Sequence, residues 1–161
     1  DLLNKYYTYS VTPGKTTKET ADVYAKACGV NGQRSMVVDL STTNPEGWKN
    51  DKHVLVQNQT DASVWEISVA DFSSSESSGV SEANRGKYLA FTEEGTTVNG
   101  VQGASSTCVD YLKKLGVKYV QIMPFYDFGS VDESKNIMDQ YNWGYDPVNY
   151  NCPEGSYSTK P

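Results

Sequence analysis

The sequence predicts a mixed fold: short strand-like and irregular segments followed by a β–α–β unit of a parallel sheet, and three observations carry the β–α–β expectation. Ser63–Val69 (SVWEISV) alternates apolar with polar residues and is rich in strand formers. Thr107–Leu115 (TCVDYLKKL) places Cys108, Tyr111, Leu112 and Leu115 at helical spacing, with Gly116 where a left-handed residue would close the helix. Val117–Met123 (VKYVQIM) then reads as a second strand, stopped by Pro124. Strand, loop, helix, glycine, strand implies parallel pairing through a right-handed crossover.

The earlier elements are shorter. Tyr6–Val11 (YYTYSV) is aromatic and β-branched and is broken by Pro13-Gly14, which predicts a strand and a turn. Thr16–Val30 has a mixed pattern, and Ser35–Leu40 (SMVVDL) is a short apolar run. Asn44–Asp51 (NPEGWKND) is a turn-rich connector and the expected boundary between two folding units. Ser73–Ser78 (SSSESS) is a polar loop, followed by a glycine-punctuated stretch to Gly103. Two parallel strands cannot cover both faces of their own sheet. The expectation is therefore an incomplete sheet, with the remaining strands on a second polypeptide or on further chain.

Composition bounds the function. The chain has 161 residues and a net charge of −6, a balance that argues against nucleic acid or an anionic membrane surface as partner. No apolar run approaches the ~20 residues of a membrane span. The chain starts at Asp1, which fits a processed N-terminus and leaves export open. The only histidine is His53, so a histidine-based triad within these residues is excluded and a histidine-rich metal site is disfavoured. Cys28, Cys108 and Cys152 are odd in number and widely spaced, and read as small apolar side chains. Twelve Tyr and three Trp stand against four Phe, which favours half-wet aromatic surfaces. Such rings suit sugars, whose C–H faces lie flat on them while their hydroxyls need hydrogen bonds.

The densest such surface is Tyr141–Pro147 (YNWGYDP), beyond the carboxyl end of the second strand, where ligands of parallel sheets gather. The stretch QIMPFYDFGSVDE…YNWGYDPVNYNCPEGSYST, from Gln121 to Thr159, resembles the type I pullulanases, starch-debranching enzymes of the α-amylase superfamily. Tyr24–Leu40 (YAKACGVNGQRSMVVDL), Thr43–Asp51 (TNPEGWKND), Asp61–Ser73 (DASVWEISVADFS) and Gly86–Thr92 (GKYLAFT) also resemble pullulanase segments, in the family's order. Two places depart from the family's habits. Val23 stands where a proline is common, and Ser68 and Ala70 stand where strand one often ends in His and Arg.

The resemblance implies that residues 1–56 are the end of an N-terminal starch-binding-type β-sandwich and its linker. Residues 57–161 would open a (β/α)8 barrel, with Ser63–Val69 as strand one, Thr107–Leu115 as helix one and Val117–Met123 as strand two. It implies α-glucan substrates, pullulan and branched maltodextrins, cleaved at α-1,6 linkages by a retaining mechanism. Tyr145 would be the stacking platform for a glucose ring, with Trp143, Asp146 and Asn142 as further substrate contacts. Trp143 could instead be core, and Asp146 could instead hold its own loop. The family's catalytic acids lie on later barrel strands, so no catalytic residue is expected here. Asp127, Asp132 and Glu133 invite a catalytic or calcium-binding reading, but sequence spacing shows neither geometry, and they are taken as loop acids. No cofactor is required, with room left for calcium, and a secreted or cell-surface location is favoured over a cytoplasmic one. The alternative function is a non-catalytic α-glucan-binding module, which would need a self-contained sandwich.

Overall fold

A computed structural model describes residues 1–136 and 139–161 of the chain. In chain order the elements are β1 (Tyr6–Tyr7), β2 (Tyr9–Val11), β3 (Lys18–Thr20), β4 (Ser35–Met36), β5 (Val64–Ile67), α1 (Cys108–Leu115), β6 (Tyr119–Ile122), β7 (Tyr126–Phe128) and β8 (Pro147–Pro153). Regular structure among the described residues is thus chiefly strand with little helix. Much of the remainder is single 3-10 turns.

The first strands form small antiparallel pairs. β2 pairs with β3 in the register Tyr9↔Thr20, Ser10↔Glu19 and Val11↔Lys18, across the turn at Pro13-Gly14. β1 pairs with β4, so the expected Tyr6–Val11 strand is divided between two partners. Thr8, between the two, belongs to neither strand.

β5 and β6 pair in parallel from Val64↔Tyr119 to Ile67↔Ile122, with α1 in the crossover between them. The Met123 N–H donating to the Ile67 carbonyl at 2.8 Å carries the pairing one residue further. Gly116 ends α1 with φ +79°, and its N–H reaches the Leu112 and Lys113 carbonyls. That closure needs a residue without a Cβ penalty. The apolar stripe of α1 is less covered than its spacing predicts: only Leu112 is buried, while Tyr111 and Leu115 are exposed.

The core lies at the carboxyl ends of β5 and β6. Val69, Phe128 and Tyr157 are buried together, with Ala70, Tyr88, Phe91, Ile122 and Val131 packed around them. Ile67 and Ile122 therefore turn inward, whereas Val64 and Val120 stay exposed. The exposed pair marks the part of the parallel sheet that its own chain leaves uncovered.

Candidate functional site

Four contacts fix the YNWGYDP segment. Gly144 has φ +92°, and a Cβ there would stand 1.8 Å from the Pro124 carbonyl oxygen. The loop thus presses its backbone directly onto the end of β6, an approach that no side chain permits. Asn142 Nδ2 donates to the Gly129 carbonyl at 2.9 Å, and Asn142 Oδ1 accepts from the Gly144 N–H at 2.7 Å. Its side chain is therefore engaged in shaping the turn. The Gly129 N–H donates to the Asp146 carbonyl at 3.0 Å, closing the base of the loop.

On this frame the rings stand out into solvent. Trp143 is 57% and Tyr145 52% exposed, so neither is a core ring. Their centroids are 5.2 Å apart and their planes meet at 69°, an edge-to-face pair. The Tyr145 hydroxyl donates to Glu66 Oε1 on β5 at 2.9 Å. That hydrogen bond raises the phenol's pKa, with smaller contributions from desolvation and the Glu66 charge. Glu66 ties the loop's ring to the first parallel strand, a link that the sequence reading missed. Asp146 is half-buried, and its Oδ1 is buried with no hydrogen-bond partner among the described residues.

A cleft of about 430 Å³ opens beside this surface, lined by Trp65, Glu66, Asp71, Phe72, Tyr111 and Tyr141 among others. A larger cavity, about 760 Å³, lies elsewhere, between the β1–β3 segment and β8. The smaller cleft shares with this surface Glu66, the residue that holds the Tyr145 ring.

The acids form a separate group. One carboxylate oxygen each from Asp127, Glu133 and Glu154 lie within 4.8 Å of one another. Such spacing invites comparison with the ~5–5.5 Å of a retaining carboxyl pair. However, Glu154 is fully buried and Asp127 nearly so, which leaves no open face for a sugar. Glu154 accepts the N–H groups of Ser156 at 2.9 Å and Phe128 at 3.3 Å. Burial, and then the hydrogen bond and charge of Glu154, push the Glu133 carboxyl up to about 8. Burial likewise raises Asp127, against an Asn149 Nδ2 donor at 2.6 Å. The trio can share a proton or hold a cation, and Glu154 is the member that the sequence reading passed over.

Asp132 stands apart from that trio. It accepts from the Ser134 hydroxyl at 2.6 Å and pairs with Lys135 at 3.0 Å, and these bonds hold its pKa far below the usual range. Asn31 clasps the same loop: its Oδ1 accepts the Glu133 N–H at 2.8 Å, and its own N–H donates to Glu133 Oε2. The N-terminal segment is thereby fastened to the loop after β7. The departures noted in the sequence are quietly accommodated. Val23 is exposed, and the buried Ser68 accepts the Asp71 N–H at 3.4 Å, a long bond.

The chain is similar over its full length to pullulanases. It is 41% identical over 165 residues to a pullulanase of Bacillus subtilis, a match covering 100% of this chain and 21% of that protein. The solved pullulanase of Bacillus acidopullulyticus superposes with a TM-score of 0.88 at 46% identity, covering 100% of this chain and 19% of that one. A pullulanase of Paenibacillus barengoltzii, solved with maltohexaose and α-cyclodextrin, gives 0.87 at 48% identity over 97% of this chain and 24% of its own. The chain thus spans about a fifth of the length of these relatives. No family model matches it.

Proposed function

We propose that this chain, homologous along its full length to one segment of the pullulanases, is part of a glycoside hydrolase cleaving α-1,6-glucosidic branch linkages in pullulan, amylopectin and related α-glucans. In this reading the reaction proceeds with retention of configuration, and the catalytic acids lie outside these residues. This part of the enzyme binds substrate. The observation that carries its role is the edge-to-face pair of Trp143 and Tyr145, half exposed on a loop that Gly144 pins to the end of β6. A glucose ring would stack on Tyr145, where a π face also suits the positive charge of an oxocarbenium-like transition state. Trp143 would form a side wall, Asp146 would accept sugar hydroxyls, and Asn142 would serve by holding the turn.

In the same proposal, residues 1–56 end a β-sandwich and its linker, and residues 57–161 open a (β/α)8 barrel. The parallel β5–β6 pair with α1 between them supports the barrel reading. So do the exposed Val64 and Val120, which further strands and helices would cover. In this reading the two carboxylates of a retaining mechanism act without a cofactor. A calcium ion would find carboxylate oxygens at Asp127, Glu133 and Glu154.

The test is hydrolysis of pullulan by the protein that carries this chain, with the 161-residue chain alone as the control. The expected result is reducing-sugar release by the former and none by the latter above a boiled blank. Release by the chain alone would overturn the division of labour, and no release by either would overturn the activity.

A further inference from the structure

We propose that Cys28 and Cys152 are a paired covalent site that closes as a disulfide and staples the N-terminal β segment to β8. Their Sγ atoms lie 3.1 Å apart across 124 residues of chain. A disulfide is 2.03–2.05 Å long, so the sulfurs need to approach by only about 1 Å.

Both backbones are held independently of the sulfurs. Cys28 bridges Ser35, with the Gly29 N–H on the Arg34 carbonyl and the Met36 N–H on the Ala27 carbonyl, both at 2.8 Å. Cys152 sits on β8, which is paired with β7. The remaining approach of about 1 Å is left to the two side chains. As thiols the pair gains only a weak S–H contact. The sulfurs face each other where the segment around Cys28 meets β8, beside the Asn31 clasp on Glu133 and the Asn149 Nδ2 bond to the Gly32 carbonyl.

The two cysteines are unequal in a useful way. Cys28 is half-buried and Cys152 is fully buried, so an outside reagent meets Cys28 first. With glutathione disulfide as oxidant, the Cys28 thiolate attacks one sulfur, the glutathione S–S bond breaks, and one glutathione leaves as a thiolate that takes up a proton. Cys152 then gives up its proton and attacks the Cys28 sulfur of the mixed disulfide, expelling the second glutathione. Two protein thiols are oxidised, and one glutathione disulfide is reduced to two thiols. Burial pushes both thiol pKa values up, and Asp127 adds to the rise in each. Closure is therefore slow at neutral pH and faster in mild base. Cys108 has no such neighbour: its Sγ meets the Phe72 carbonyl at 3.4 Å.

The test is incubation of the protein with glutathione disulfide in mild base, alkylation in denaturant, and peptide mass spectrometry. The expected product links the Cys28 and Cys152 peptides and leaves Cys108 alkylated. Melting of Cys108→Ser should then rise on the order of 5–10 °C on oxidation, and Cys28→Ser/Cys108→Ser should show no such rise. Three alkylated cysteines after oxidation, or a cross-link through Cys108, would overturn the assignment. Equal melting of oxidised and reduced Cys108→Ser would overturn the staple.

Discussion

Two regions beyond β6 invite a functional reading, and they are built in opposite ways. The YNWGYDP loop displays its rings to solvent, and the Tyr145 phenol is raised chiefly by its hydrogen bond to Glu66. In the Asp127–Glu133–Glu154 group Asp127 and Glu154 are buried, and the half-buried Glu133 carries a carboxyl raised to about 8. A perturbed titration in a cleft is a reason to suspect catalysis. Here the perturbation follows from burial, and the same burial denies a sugar access. The loop is ordered by the Gly144 approach to Pro124 and by the Asn142 side chain, and it leaves the Trp143 and Tyr145 rings half exposed. The acids are ordered by their side chains, which hold β7, β8 and the N-terminal segment together. The contrast separates an exposed aromatic surface from a largely buried polar knot.

The largest effect expected is at Gly144, where both arguments meet in one residue. Gly144→Ala should destabilise the protein on the order of 2–3 kcal/mol, from left-handed strain and from the clash with the Pro124 carbonyl. Gly95→Ala separates the two causes, because Gly95 has φ +76° with nothing within 4 Å of a Cβ. That change should cost only about 1 kcal/mol. Equal losses in chemical denaturation would remove the close approach from the account.

The buried knot makes a pH prediction. Glu133 titrates near 8 when folded and near ~4.3 when unfolded. Between those values the folded state holds a proton that the unfolded chain has released, so stability falls as pH rises through the window. Glu133→Gln keeps an acceptor for the Asn31 N–H and a donor toward Glu154, and cannot titrate. Melting temperatures from about pH 5 to about pH 9 should decline less in the variant. The residual slope belongs to Asp127, which is raised in the same direction. Parallel pH profiles would show that the proton is not on Glu133.

The smallest effect concerns the tether of the exposed ring. Tyr145→Phe keeps the stacking face and loses the hydrogen bond to Glu66. Because both partners are exposed, KM for an α-glucan should rise only about twofold. A loss as large as that of Tyr145→Ala would make the hydroxyl, and not the ring face, the binding group.

Local physics made much of the fold legible. Alternation found β5, helical spacing with Gly116 found α1, and Pro13-Gly14 found the turn between β2 and β3. The strand ends were drawn too wide, because Ser63, Val117 and Lys118 have strand-like neighbours but no strand assignment. The polar run Ser73–Ser78 hid two buried serines, Ser73 and Ser78, whose hydroxyls meet Gly86, Val80 and a carbonyl of their own loop. The density of rings in YNWGYDP made an aromatic surface legible, and the role expected of Tyr145 came from the pullulanase resemblance. The tertiary contacts were not legible: Glu66 with Tyr145, Gly144 on Pro124, Asn31 on Glu133 and Cys28 on Cys152 join residues far apart in sequence. Such pairs are set by tertiary packing, which periodicity does not encode.

The central claim is that the Tyr145 ring is a platform for the sugar at the reacting end of the substrate. It is tested most directly by kcat/KM of Tyr145→Ala for pullulan, in the complete hydrolase, alongside its melting temperature. The account predicts a fall of roughly 5- to 150-fold, the range expected when a ring-stacking contact is removed, with melting unchanged because the ring is half exposed. Full activity with unchanged melting would contradict it, leaving Tyr145 an ornament of the loop.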